Sequence, residues 1–182
     1  MEISRLDAGG EQVLSEPVPL ASWMDGLLRA RGWQERVELS GDNVTLATDP
    51  RRLERIVDNL VGNALRHGGG RVRVRVERDG SLARLEVADQ GPGIPPEHLG
   101  HVFDRFYKAD PSRTGTGSGL GLAIARENAR LLGGDIHVWS EPGQGTRFTV
   151  LLPVTEPLHG GEGGVTGRLH HDAQAPTEGG GT

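Results

Sequence analysis

Between Leu53 and Leu65, apolar residues recur at steps of three and four: Leu53, Ile56, Val57, Leu60, Val61, Ala64 and Leu65. That spacing describes one face of an α-helix. Asp49 stands where a helix cap is wanted, Pro50 suits the first helical position, and Gly68 to Gly70 stop the run. The same period marks Leu20, Trp23, Met24, Leu27 and Leu28, and it returns in "GLGLAIARENARLLGG", which Gly133 and Gly134 close. Elsewhere the period is two. "RVRVRVERD" and "SLARLEVAD" alternate as half-buried strands joined across "RDGS", and "DIHVWSEPGQGTRFTVLLP" predicts a further strand, turn and strand. "VELS" and "VTLAT" read as short strands around the turn "GDN". Strands joined by short turns predict antiparallel pairs, and helices with one apolar face predict a layer on one side of the sheet. The expected fold class is α+β, a two-layer sandwich with a mixed, mostly antiparallel sheet and three main helices on one face.

Composition narrows this picture at the ends. From Pro157 onward the chain reads "PLHGGEGGVTGRLHHDAQAPTEGGGT", with almost no apolar periodicity. Such a stretch buries too little to offset ordering entropy, so residues 155–182 are expected to be a disordered tail, leaving 11–154 as one globular unit. The absence of cysteine excludes disulfides and thiolate metal sites. No apolar run approaches the roughly 20 residues that cross a bilayer, and no signal peptide is visible. With a net charge of -5, no basic stripe and 4% aromatic residues, the chain does not look like a nucleic-acid binder.

The polar residues of the long helix carry the first chemistry. At 100° per residue, Asn59, Asn63 and Arg66 fall within about 60° of one another, beside the apolar stripe. They are either a solvated edge, or amide oxygens for a hard cation together with a charge for phosphate. The stretch "DQGPGIPPEHLGHVFDRFYKADPSRTGTGSGLGLAI" opens and closes with a glycine segment. Neither is a P-loop, since no Gly-Lys-Ser/Thr exists, and "GTGSGLG" has Leu120 where a dinucleotide fingerprint needs glycine. Yet Gly117, Gly119 and Gly121 run into a helix start, where free N–H groups and the helix dipole favour an anion.

At these residues the chain resembles the sensor histidine kinases. "DNLVGNALRHG" resembles their N box, "DQGPGI" their first glycine box, "FDRFYK" their F box and "GTGSGLGLAI" their second glycine box, in the same order and spacing. "EISRLDAGG" resembles the end of the dimerisation-domain helix that precedes the catalytic domain in that family, which assigns residues 1–10 to such a helix. The resemblance implies the Bergerat ATP-binding fold. It implies that Asp89 accepts a hydrogen bond from the adenine amine, with Gly91, Gly93 and Ile94 turning the chain beside the base. The stretch from Gly91 to Gly117 becomes an ATP lid, with Phe103 and Phe106 anchoring it and Tyr107 beside them. Asn63 becomes a Mg²⁺ ligand, with Asn59 next to it. Gly117, Gly119, Leu120 and Gly121 border the phosphates. Arg66 stands where the family usually has Lys and Lys108 where it usually has Arg, and both are expected to meet phosphate, though with exchanged geometry. His67 takes an often aromatic position and either stacks on adenine or simply ends the helix. Arg113 is a weaker phosphate candidate, and Thr146 is either an adenine-side residue or a turn residue.

The family's phosphoacceptor histidine lies in a run like His-Glu-Leu-Arg-Thr-Pro, and none of the seven histidines here begins one. The resemblance therefore implies a catalytic domain that uses ATP and Mg²⁺ to phosphorylate a histidine on a separate dimerisation domain, serving a response regulator. It further implies a homodimeric, membrane-anchored parent with this part in the cytoplasm, and a monomer when the domain is isolated. The alternatives are a hydrolytic ATPase of the same superfamily, which uses a Glu base where this chain has Asn59, an anti-sigma-type serine kinase, and a non-catalytic nucleotide-binding module.

Overall fold

A computed structural model of the chain describes residues 14–108 and 119–154. The proposed dimerisation-helix end, Arg113, Gly117 and the tail lie outside these residues. Among them the elements run β1 (Glu16–Pro19), α1 (Leu20–Ala30), β2 (Val37–Gly41), β3 (Thr45–Thr48), α2 (Pro50–His67), β4 (Val72–Asp79), β5 (Leu82–Ala88), α3 (Pro96–Leu99), α4 (Gly121–Leu131), β6 (Asp135–Glu141) and β7 (Gly145–Pro153). The two-layer expectation holds. A five-stranded sheet in the order β2-β4-β5-β7-β6 presents one apolar face to the helices. On that face Val74, Val87 and Phe148 are cross-strand neighbours in one row, and each is buried. The other face is polar, with Arg73, Arg75, Glu86, Arg147 and His137 alternating outward.

Helix α2 forms as its sequence dictates. The Asp49 carboxylate accepts the N–H groups of Arg51 and Arg52, and Pro50 opens the first turn. Leu53, Ile56, Val57, Leu60, Val61 and Ala64 are all at most 1% exposed, so the whole predicted stripe except half-buried Leu65 is core. At about 1.5–3 kcal/mol for each fully buried large aliphatic side chain, this helix anchors the fold. Helix α4 lies against it, running the opposite way. A Cβ placed on Gly121 would lie 2.7 Å from Asn59 Oδ1, while two turns further on Arg52 donates to Asn128 Oδ1 at 3.4 Å.

One expected pairing is corrected. β2 and β3 do not form a hairpin around "GDN": β2 pairs parallel with β4, and β3 pairs antiparallel with β1 in a separate two-stranded ribbon. The connection from β2 to β4 contains α2, and a crossover of that length is what a parallel pair requires. Gly41, at φ +104, turns the chain out of the sheet, and a side chain there would strike the Val76 carbonyl. Asn43 then serves α1, its Oδ1 accepting the N–H groups of Ala21 and Ser22 at 3.1 and 3.3 Å. The strand β1 and the single turn α3 were not expected; "EPVP" has no alternation to show, and α3 is only 4 residues long. No described helix is long and apolar enough to cross a membrane.

Candidate functional site

The site begins where β5 ends. Asp89 follows Ala88 on the inward face and is 9% exposed. Its N–H donates to the Thr146 carbonyl at 2.9 Å, extending the β5–β7 ladder by one step. Its Oδ1 accepts two backbone N–H groups, from Gly91 at 2.8 Å and from Thr146 at 3.3 Å. No described residue hydrogen-bonds Oδ2. Space around this carboxylate is bought with glycine. A Cβ on Gly68 would sit 2.5 Å from Asp89 Cβ, and one on Gly91 would sit 2.9 Å from Oδ1 and 2.7 Å from the His67 carbonyl. The carboxylate is thus wedged against the C-terminal end of α2.

Thr146, opposite Asp89, is 7% exposed, and its register partner on β6 is Ser140, 5% exposed. Asp89, Thr146 and Ser140 therefore form a polar row across β5, β7 and β6 at the end of an otherwise apolar face. The Thr146 hydroxyl lies 3.0 Å from Ser140 Oγ. Ser140 was not singled out by the sequence, where it sits before a turn. The signal was there, since alternation from Ile136 puts it on the inward face, where a lone hydroxyl wants a partner. Its Oγ accepts the Ile94 N–H at 2.8 Å, so the first glycine segment is tied to β6. Gly93, at φ +75, packs so closely on the Glu141 carbonyl that a side chain is excluded, and the Gly143 N–H donates to the Pro92 carbonyl at 2.7 Å.

The second cluster lies along α2. Asn59 is half-buried, and its Nδ2 donates to the Arg55 carbonyl at 2.7 Å, which leaves Oδ1 turned toward Gly121. Asn63 is half-buried one turn further on, and Arg66 and His67 are exposed in the last turn, where positive charge suits the helix dipole. Leu120, half-buried, precedes Gly121, and α4 starts without a side-chain cap. Its first turn thus starts beside Asn59 without a capping side chain, an arrangement suited to anionic oxygens.

Between the clusters, the chain after β5 makes α3 and then the aromatic segment. Phe103 does anchor this segment: its ring meets Phe148 edge-on at 6.3 Å, and the Arg126 guanidinium lies 4.8 Å over it. Phe106 does not. It is 72% exposed, because φ +65 turns its side chain out to solvent. What it contributes is backbone, its N–H donating to the Gly119 carbonyl at 2.9 Å. Gly119, at φ +70, is packed against Phe106 and Tyr107 backbone with no room for a Cβ. Phe106 and Gly119 are therefore clasped together. Tyr107 is occupied within the segment, its hydroxyl 2.6 Å from His98 Nδ1, and Lys108 is exposed. An open groove lined by Phe103, Arg126 and Arg130 contains none of the expected nucleotide residues. Its Arg126 pairs with Asp135, whose carboxyl that hydrogen bond, partly opposed by burial, holds down at about 2.

Among the described residues, the structure brings together Asp89, Gly91, Gly93, Ile94 and Thr146 at one end, and Asn59 and Gly121, which Leu120 precedes, at the other, with Asn63 one turn along α2 from Asn59. It leaves the Phe106 side chain in solvent and Tyr107 paired with His98. No cluster of three His, Cys, Asp or Glu side chains capable of holding a metal occurs among these residues. The amide oxygens of Asn59 and Asn63 are hard donors without charge, a set that fits Mg²⁺ when phosphate supplies the rest.

Residues 48–156 match the family described as "Histidine kinase-, DNA gyrase B-, and HSP90-like ATPase". The chain is 47% identical over 155 residues to the signal transduction histidine-protein kinase AfsQ2 of Streptomyces coelicolor, a match covering 84% of this chain and 29% of that protein. It is 40% identical over 164 residues to the sensor histidine kinase MtrB of Mycolicibacterium paratuberculosis, covering 85% of this chain and 29% of the relative. The chain thus spans under a third of the length of these relatives. Among solved structures, the mycobacterial sensor histidine kinase MprB superposes with a TM-score of 0.64 at 33% identity, covering 76% of this chain and 97% of the other. Full-length ShkA in complex with AMPPNP superposes with a TM-score of 0.65 at 28% identity, covering 80% of this chain and 32% of the other.

Proposed function

Because the chain belongs to the histidine kinase-, DNA gyrase B- and HSP90-like ATPase family, as an ATP-binding domain of the sensor histidine kinase type, we propose that it holds ATP with Mg²⁺ and presents the terminal phosphoryl group to a histidine on a separate dimerisation domain. One observation carries this reading. The carboxylate at Gly68 and the uncapped helix start at Asn59 lie nine residues apart along α2, or ~13 Å at the helical rise. That separation is comparable to the reach of a nucleoside triphosphate from base to last phosphate.

In this reading Asp89 binds the base amine through Oδ2, while Gly91 and Thr146 fix the carboxylate by occupying Oδ1. The first N–H groups of α4 orient the phosphates, and Arg66 and Lys108 offset their charge. Asn63 would hold the metal, with Asn59 beside it. Mg²⁺ supplies charge neutralisation on the phosphate oxygens. The transfer itself needs positioning more than proton chemistry. Asn59 bears on the alternative: an amide cannot take a proton from water, so the arrangement favours transfer over hydrolysis. His67 borders the base end through its carbonyl near Gly91, and its ring remains a candidate for stacking. The partners that follow are the chain's own dimerisation domain and, through the phosphohistidine, a response regulator. A homodimeric parent held at a membrane, with this domain on the cytoplasmic side, completes the proposal.

The test is direct. Mixed with a separately prepared dimerisation domain of its parent and labelled ATP·Mg²⁺, the protein is expected to label that domain's histidine. Alone it is expected to bind the nucleotide but release phosphate far more slowly than roughly 1 s⁻¹. Ordinary ATPase turnover without histidine labelling would reverse the assignment in favour of a hydrolytic relative.

A further inference from the structure

The polar row at the end of the sheet permits a proton count. Ser140 Oγ lies 2.7 Å from the Gly145 carbonyl oxygen, 2.8 Å from the Ile94 amide nitrogen and 3.0 Å from Thr146 Oγ1. A serine hydroxyl has one proton and two lone pairs. The carbonyl can only accept, so Ser140's proton goes to Gly145. The amide can only donate, so it fills one lone pair. The second lone pair faces Thr146, and there Thr146 must be the donor. All three valences of Ser140 are then filled inside the protein, which matches its 5% exposure. The reverse assignment would press two oxygen acceptors together at 2.7 Å with no proton between them.

The consequence falls on Thr146. Its proton is committed to Ser140, so it offers only lone pairs to anything beside it. Its neighbour in the row, the Asp89 carboxylate, also only accepts. We propose that Ser140, by fixing the direction of the Thr146 hydroxyl, makes the base-reading end of the site an all-acceptor surface and is thereby a specificity-determining positioning residue. This rests on the nucleotide reading above and adds a residue and a rule to it. A ligand edge carrying an exocyclic amine finds acceptors. A keto oxygen at the same place finds only oxygen lone pairs, and its own acceptor is left unpaired.

Without the Ser140 hydroxyl, the Thr146 hydroxyl is free to rotate and donate outward. It would then suit a keto oxygen as well as an amine, and discrimination between the two should relax. The loss should show in the ratio of affinities, since phosphate and sugar contacts are common to both ligands.

The experiment compares ADP with inosine diphosphate, whose base carries a keto oxygen in place of the amine and a proton on N1; the N1 change is the same in every titration, so each variant's ratio is read against that of the wild type. Both are titrated with Mg²⁺ into the wild type, S140A, T146S and T146V, with a melting curve for each. The wild type should favour ADP, and S140A should lose roughly ten-fold of that preference, one hydrogen bond's worth. T146S keeps the hydroxyl and should keep the preference; T146V removes it and should narrow the ratio as S140A does. A folded S140A with the wild-type ratio would overturn the proposal. So would an unchanged ratio in T146V, which decides the matter if S140A does not fold. Either result, with ADP still bound, leaves the nucleotide reading intact. A wild type that binds neither nucleotide overturns that reading, and this proposal with it.

Discussion

Helix α2 has a buried aspartate at each end, and the two are bonded differently. Asp49, 1% exposed, caps the N-terminus, where the helix dipole favours negative charge. Both its oxygens are occupied: Oδ1 by the N–H groups of Arg51 and Arg52, Oδ2 by that of Leu14, with Arg52 Nε 4.0 Å away. Burial alone would raise its pKa, but these backbone hydrogen bonds and nearby Arg51 together hold it below the ordinary value. Asp89 stands at the other end, where the same dipole opposes a carboxylate. Its two backbone hydrogen bonds both go to Oδ1. A carboxylate placed against the helix field, with one oxygen pinned and the other open, gains little as a structural element. In the proposed reading, valence left unfilled separates a binding carboxylate from a structural one better than burial does.

That contrast can be broken at either end. The largest effect is expected from Asp89→Asn. Losing a charged acceptor should cost about 1.5–3 kcal/mol, or one to two decades in adenosine and ATP affinity, with little change in melting temperature. Wild-type affinity for adenosine in this variant would erase the distinction. Asn63→Ala should impair Mg·ATP binding by roughly ten-fold while leaving metal-free adenosine binding nearly intact. Equal loss of both ligands in a folded variant would remove the metal assignment. Asp49→Ala should do the converse of Asp89→Asn, costing about 1–2 kcal/mol of stability in denaturant unfolding without altering the affinity of the folded protein.

The smallest effect concerns acid. The carboxyls of Asp49 and Asp135 both have folded-state pKa values below their ordinary 3.8, that of Asp135 at about 2. Groups depressed on folding stabilise above the unfolded value and lose that contribution as pH falls through the folded one. The stability of the wild type should therefore drop between about pH 4 and pH 2, and Asp135→Asn should flatten part of that drop. An identical slope in the variant would show that the Arg126 pair contributes nothing to acid sensitivity.

Helix α2 was legible in full because every signal for it is local: a cap, a proline, a period and a stop. The hairpins β4–β5 and β6–β7 were legible for the same reason. What failed depends on residues distant in sequence. The partner of β2 is chosen by the crossover through α2, which no short window contains. Phe103 and Phe106 look alike as aromatic anchors, yet a positive φ at Phe106, whose N–H bonds the distant Gly119 carbonyl, separates them. Asp89, Asn59 and Asn63 were singled out through their motifs, which are local. Ser140 needed three strands in register before its hydroxyl had a meaning.

That three-strand row bears on the order in which the protein becomes competent during synthesis. β7 is the last described strand to leave the ribosome, yet it inserts between β5, made some sixty residues earlier, and the edge strand β6. Until it arrives, β6 has no neighbour in the sheet, Thr146 does not exist, and Asp89 lacks one of its two donors. A nascent chain arrested before Gly145 should therefore hold α2 and both asparagines but not the polar row of Asp89, Thr146 and Ser140. Domains fold as units as they emerge. In this one, the ability to retain a nucleotide doubles as a report that the sheet is complete.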